Sequence, residues 1–170
     1  MTLAQLNPLE KARFVALLGA LFEHSPWVAL RAWKRRPFAS VAGLFQALAD
    51  EIRQATADEQ LDLIRAHPEL AGKEAGGGRL TADSSSEQGR LGLLSLDRSH
   101  FERMAELNRR YRQRFGFPCI VALKLHASRA SVMAEMRRRL GNQADAELAN
   151  ALEQIGHIAR GRLDRVISGS

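Results

Sequence analysis

Apolar residues recur at helical spacing along nearly the whole chain, and helix-start signals punctuate them. Asn7-Pro8-Leu9-Glu10 reads as an N-cap with Pro at N1 and Glu at N3, predicting a helix to about Phe22. Ser25-Pro26 opens a short helix through Trp27 and Trp33 that stops before Pro37. Ser40 caps a third, with Leu44, Leu48 and Ile52 on one face. Thr56-Ala57-Asp58-Glu59 is a capping box for a helix through Leu61 and Ile64, ended near His67 by Pro68. Residues 72–80 read as a glycine-rich loop, and Ser84-x-x-Glu87 as a capping box opening the next helix. Ser95 or Asp97 begins a long helix through Phe101, Met104, Leu107 and Tyr111, closed by Gly116 and Pro118. Cys119 to Leu125 is a brief apolar run compatible with extended chain. Ser128 opens a helix ending at Gly141, and Asn142 opens the last, running to about Ile167. There is no repeat, low-complexity tract or linker. The expectation is an all-α fold: one domain, residues 1–170, of about seven to nine helices.

Composition narrows the chemistry. The 170 residues include 45% hydrophobic and only 6% aromatic side chains, an ordinary globular balance. A single cysteine, Cys119, excludes an internal disulfide and any multi-cysteine metal site. Five histidines (24, 67, 100, 126 and 157) lack metal-ligand spacing, and no phosphate-loop, dinucleotide or HExxH motif is present. The net charge of +6 permits binding of an anionic ligand or nucleic acid. The runs Arg109–Arg114 and Arg137–Arg139 could contact phosphate, but charge runs on helices are usually solvated faces. No stretch is apolar enough for a membrane span. Glu10, Lys11 and Arg13 interrupt Leu9–Phe22, which argues against a signal peptide, and Val166-Ile167-Ser168-Gly169-Ser170 carries no peroxisomal tripeptide. The expected location is cytoplasmic.

Two segments stand out. His67-Pro68-Glu69-Leu70 follows a helix end, and Ser84-Ser85-Ser86-Glu87-Gln88 lies beyond the glycine-rich stretch. Together they offer an imidazole, a hydroxyl, a carboxylate and an amide for proton transfer on a small polar molecule. His67 continues the Leu61 and Ile64 stripe, so it should face inward, where a satisfied core histidine is the ordinary outcome. Ser84 and Glu87 match the pattern with which many helices begin, so capping is their ordinary role. In the last helix Leu148, Leu152, Ile155, Ala159 and Val166 form a stripe that contains Arg162. A buried arginine needs a carboxylate partner, an anionic ligand or a route to water. Arg160 and Arg165 lie off this stripe. The chain after Phe117 could leave backbone amides available to a ligand, and Cys119 in that apolar context is more often inert than nucleophilic.

In order along the chain, His67-Pro68-Glu69-Leu70-Ala71-Gly72-Lys73, Leu80-Thr81, Ser84-x-x-Glu87-Gln88, Asn108-x-x-Tyr111, Phe115-Gly116-Phe117-Pro118 and Ile158-Ala159-x-x-Arg162-Leu163 resemble the 2-oxo-4-hydroxy-4-carboxy-5-ureidoimidazoline (OHCU) decarboxylase family. The resemblance implies an all-helical enzyme that works without cofactor or metal, often as a homodimer, and releases CO2 to complete the conversion of urate to allantoin. It implies that His67 and Glu87 are catalytic. It implies that Pro68, Ser84, Gln88, Arg162 and the backbone at Cys119, Ile120 and Val121 bind the substrate. Cys119 stands where the family usually has a bulky apolar residue, and Leu91 where a small one is common. The partners expected are a small-molecule substrate and a second copy of the chain, not nucleic acid or membrane. The alternatives are a non-enzymatic basic helical module that binds nucleic acid, and a related enzyme for another ureido or imidazole compound. Steep salt dependence of nucleic-acid binding, or a substrate panel, separates them.

Overall fold

The computed structural model describes residues 1–167, so Ser168, Gly169 and Ser170 of the C-terminal pentapeptide lie outside the described residues. Among the described residues ten α-helices follow one another: α1 (Leu3–Leu6), α2 (Lys11–Leu18), α3 (Trp27–Ala32), α4 (Val41–Arg53), α5 (Ala57–Arg65), α6 (Lys73–Gly76), α7 (Ala82–Arg90), α8 (Arg98–Phe115), α9 (Arg129–Arg139) and α10 (Ala144–Val166). Three 3-10 turns join them, at Gly19–Leu21, Trp33–Arg35 and Leu123–Leu125. Among the described residues there is no strand, as the all-α reading expects. The count passes nine because α1 and α6 are single turns of four residues each. None of these helices is long and apolar enough to cross a membrane.

Contacts divide the chain into two compact units. One comprises Met1–Ala66 and the chain from Gly156 onward; the other is His67–Ile155. Helix α10 contributes residues to both.

In the first unit α3 packs on α2 and α4. Phe14, Leu18, Val28, Ala29, Ala32, Leu44 and Leu48 are fully buried. Ser40 caps α4 by accepting from the Gly43 N–H at 2.9 Å, and Leu44, Leu48 and Ile52 share the buried face. Thr56 and Glu59 form the reciprocal capping box of α5. Asn7 does not cap α2. Its amide pairs instead with the backbone of Phe38, donating to the carbonyl at 3.0 Å and accepting from the N–H at 2.9 Å. The chain before it forms α1, whose capping box uses Thr2 and Gln5. The helix expected to reach Phe22 therefore starts later, and it tightens into a 3-10 turn after Leu18. Arg36 binds this corner together. It donates to the carbonyls of Asn7, Leu9 and Trp33 at 2.6–2.9 Å and lies 4.2 Å from the Trp33 ring centre.

In the second unit α8 packs on α9. Asp97 caps α8, and Gly116, at φ +78°, ends it in the left-handed conformation that favours glycine. Met104, Leu107, Asn108 and Tyr111 form the buried face of α8. Two local expectations fail here. Residues 72–80 are not a continuous loop, because α6 lies inside them. Helix α10 starts at Ala144, so Asn142 is not its cap; the Asn142 amide donates 2.7 Å to Glu147 Oε2.

The arginine runs do not form one solvated face. Arg109 pairs with Glu106, Arg112 with Glu69 and Arg138 with Glu135. Arg139 is completely buried. Its Nε donates to Glu147 Oε1 at 2.6 Å, its Nη1 to the Ile120 carbonyl, and its Nη2 to the Tyr111 hydroxyl at 3.3 Å. The Tyr111 hydroxyl in turn donates to Glu147.

Two outcomes are expected. Breaking the buried pair with Arg139→Met should cost about 3–5 kcal/mol by denaturant unfolding, because Glu147 is left charged and dry; adding Glu147→Met should recover part of that. The second outcome concerns acid. The Arg31 guanidinium, followed by the Thr56 N–H, lowers the Glu59 carboxyl from 4.5 to about 2. A carboxyl lowered in the folded state contributes its stabilisation fully above the unfolded value and loses it as pH falls toward 2. Glu59→Gln should therefore lose less melting temperature than the parent between about pH 4.5 and pH 2.

Candidate functional site

Pro68 lacks an N–H and crowds the residue before it out of helical geometry, so α5 ends and His67 begins a loop. His67 is 6% exposed, inward as its stripe implies. The His67–Gly72 loop is fastened by side chains rather than by regular structure. Gln88 Oε1 accepts from the Ala71 N–H at 2.9 Å, and its Nε2 donates to the Glu69 carbonyl at 3.4 Å. Asn108 donates 2.8 Å to the Leu70 carbonyl, and Arg112 Nε donates 2.8 Å to Glu69 Oε1. Ala71 is held at φ +50°, a conformation costly for a residue with a Cβ, so these bonds must outweigh the strain. At Gly72 an added Cβ would lie 2.6 Å from Glu69 Cβ, so the turn closes only around glycine.

Ser84 is not the cap of α7. Thr81 is: its hydroxyl accepts from the Ser84 N–H at 3.3 Å. The helix thus begins three residues earlier than the Ser84-x-x-Glu87 pattern suggests. The shift changes the meaning of the motif. Ser84 and Gln88, four apart, share one buried face, and Glu87 beside them is half-buried. Arg90, at the end of α7, donates to the Leu123 carbonyl and, at 3.2 Å, to that of His126. Helix α7 is therefore tied to the His67 loop by Gln88 and to the turn after Val121 by Arg90.

The chain between α8 and that turn is irregular, without strand, and deeply buried. Cys119, Ile120 and Val121 are 2–3% exposed. Burial pushes the Cys119 thiol up to about 12, with the neighbouring Arg139 opposing the rise, so the group stays protonated. Pro68, Ser84, Glu87, Gln88 and the Cys119–Val121 backbone thus belong with His67 in the His67–Ile155 unit.

Arg162 belongs to the other unit. It is 2% exposed, and its Nη2 lies 2.9 Å from Glu23 Oε1, a carboxylate that is itself buried. The burial inferred from the α10 stripe is present, and so is a carboxylate partner. The buried line of α10 is Glu147, Ala151, Ile155, Ala159, Leu163, whereas Leu148 and Leu152 are only half-buried. Arg160 is half-buried against Phe45 and paired with Asp164, and Arg165 is exposed.

The sequence names Asn108 only within a motif and Arg139 only within a charge run, and it singles out neither Glu23 nor Glu147, yet all four are buried. Asn108 continues the Met104 and Leu107 stripe, and Arg139 lies three after Met136 and seven after Val132. Their phase was a usable signal. Among the described residues, no group of three or more His, Cys, Asp or Glu is placed to hold a metal ion.

A family model described as OHCU decarboxylase matches residues 7–164. The 2-oxo-4-hydroxy-4-carboxy-5-ureidoimidazoline decarboxylase of Haloferax volcanii is 40% identical over 163 residues, which cover 96% of this chain and 94% of that protein. The enzyme of the same name from Mus musculus is 37% identical over 166 residues, 96% of this chain and 91% of its own. A crystal structure of (S)-allantoin synthase matches with a TM-score of 0.78 and 28% identity over 98% of this chain, which spans about half (54%) of that one. A crystal structure of OHCU decarboxylase in the presence of (S)-allantoin shares the fold, with a TM-score of 0.70 at 19% identity over 94% of this chain and 99% of that one. This chain belongs to the OHCU decarboxylase family.

Proposed function

We propose that this protein decarboxylates 2-oxo-4-hydroxy-4-carboxy-5-ureidoimidazoline to (S)-allantoin in urate degradation. The observation that carries the reading is the family match over residues 7–164, which includes every proposed site residue. The same match takes in both compact units, which supports treating residues 1–170 as one working domain.

The substrate bears a carboxylate and a hydroxyl on one carbon, beside a ring C=N. When the C–CO2 bond breaks, its electron pair forms a C=C bond and the C=N electrons pass to nitrogen, which takes a proton. The enol so formed loses its hydroxyl proton as the neighbouring carbon gains one. That last proton sets the handedness of the product. The substrate is its own electron sink, so the reading requires neither cofactor nor metal.

What the protein must supply is proton transfer and orientation. In this reading His67 takes the hydroxyl proton as general base, and Glu87 orients the imidazole or the ureido N–H groups. Ser84, Gln88, Pro68 and the backbone of Cys119, Ile120 and Val121 hold the substrate. The Gln88 amide already carries the His67 loop, so its contribution includes keeping His67 in place. Arg162, whose Nη2 lies 2.9 Å from Glu23 Oε1, orients the anionic or carbonyl end of the substrate through its planar guanidinium. Gripping the departing carboxylate too well would oppose its loss, so Arg162 should orient more than it stabilises. A cytoplasmic location and a homodimer complete the proposal.

The test is to supply freshly generated urate-oxidation intermediate to the purified protein and follow CO2 release together with the circular dichroism of the allantoin formed. Faster CO2 release with enrichment of the (S) form is expected; a rate and racemic product equal to the protein-free reaction would reject the reading. His67→Asn should remain folded and lose about 10²–10⁴-fold in turnover. Arg162→Lys keeps a cation beside Glu23 but loses the planar two-point contact. Its melting temperature should change little while kcat/KM falls about tenfold or more. A large melting loss with unchanged kcat/KM would assign Arg162 to structure alone.

A further inference from the structure

The stretch from Phe117 to Ala122 is neither helix nor strand, yet Phe117 and Cys119–Ala122 are at most 3% exposed. Irregular chain in that position must find partners for its polar groups outside itself. Two side chains pin its far end, where the Ala122 carbonyl also accepts from the Leu125 N–H at 2.9 Å. The Ile120 carbonyl accepts from Arg139 Nη1, and the Ala122 N–H donates to Gln154 Oε1 at 2.9 Å. Among the described residues, the N–H groups of Cys119, Ile120 and Val121 make no hydrogen bond. Three successive buried amides are thus left without an acceptor, beside two points at which the same backbone is pinned. Successive backbone amides without an acceptor can donate to an oxygen of a ligand.

Arg139 is itself fixed. Glu147 holds its Nε and Nη2 at 2.6 and 2.5 Å, and the Tyr111 hydroxyl meets it from α8. Glu147 is completed by Asn142 at 2.7 Å and Asn150 at 3.5 Å. Gln154, half-buried on α10, carries no charge, so its removal strands none.

We propose that Arg139 and Gln154 are positioning residues, which hold the backbone so that the amides of Cys119, Ile120 and Val121 meet the carboxylate or carbonyl oxygens of the substrate. The proposal rests on the reading that this backbone binds substrate in the decarboxylation above. Neither side chain need touch the substrate; each acts through the chain it pins.

The experiment compares Gln154→Leu, Gln154→Glu and Arg139→Lys with the unaltered protein. It measures KM, kcat, melting temperature and, without substrate, the amide hydrogen exchange of residues 117–123. Gln154→Leu should raise KM about tenfold, the scale of one lost hydrogen bond, with kcat within about twofold and melting nearly unchanged. Its 117–123 amides should exchange faster. Gln154→Glu retains an acceptor oxygen and should restore both readouts. Arg139→Lys keeps the cation beside Glu147 but cannot also span to the Ile120 carbonyl, and KM should rise in the same way. A folded Gln154→Leu with KM within about twofold of the parent overturns the proposal, whether or not exchange quickens, because the amides would then bind substrate without the tether. If the unaltered protein shows no turnover, the decarboxylation reading fails, and this one with it, before any variant is compared.

Discussion

The buried Arg139–Glu147 pair is the constraint around which the His67–Ile155 unit is organised. It joins α9 to α10, takes in Tyr111 from α8, and reaches the irregular chain at Ile120. Two dry charges are expensive, and their mutual attraction offsets the cost only when every remaining donor and acceptor is matched. Here the matching is extensive. Glu147 is surrounded by Arg139, Tyr111, Asn142 and Asn150, and Arg139 divides its donors among Glu147, Tyr111 and a main-chain carbonyl. The aromatic cluster of Tyr111, Phe115 and Phe117, with ring centres 4.7–6.1 Å apart, packs beside it. An apolar core would have been simpler to build, but it could not have gripped a carbonyl.

The same device recurs at smaller scale. Each irregular segment of the proposed site hangs from a side chain on a regular helix: the His67 loop from Gln88 and Asn108, the turn at Leu123 from Arg90, and Ala122 from Gln154. Loops supply backbone groups and bends that helices cannot, but they do not hold their own shape. Fastening them to α7, α8 and α10 lends them helical rigidity. Amides and guanidinium groups suit the task because each offers several bonds from one planar group.

Local signals were legible, and distant partners were not. Ser40, Thr56, Asp97 and Ser128 cap their helices through contacts three residues away, and Gly116 ends α8 through its own backbone. Such effects lie inside the window that sequence periodicity samples. Asn7 looked like a cap, but it answers to Phe38, thirty-one residues on. Ser84 matched a capping box that Thr81 had already pre-empted, which moved the Ser, Glu and Gln from the mouth of α7 into its body. His67 and Arg162 were both placed inward by helical phase, and both are buried. Charge alone marks Arg137–Arg139 as a solvated run, whereas helical phase places its third member inward, where it is completely buried. Glu23 lies outside any helix and follows no period, so nothing in its neighbourhood announced a partner for Arg162.

Cys119 is the single sulfhydryl of the chain, and it stands at the beginning of the gripped segment. Nucleophilic and redox reactions of cysteine run through the thiolate, and a group pushed up to about 12 has almost none of it at neutral pH. Such a sulfur attacks peroxides and disulfides slowly, and its 2% exposure leaves them little room to approach. The packing that accommodates a cysteine at this place also passivates it. The backbone it belongs to can therefore keep its geometry in oxidising surroundings, with no protective chemistry beyond burial.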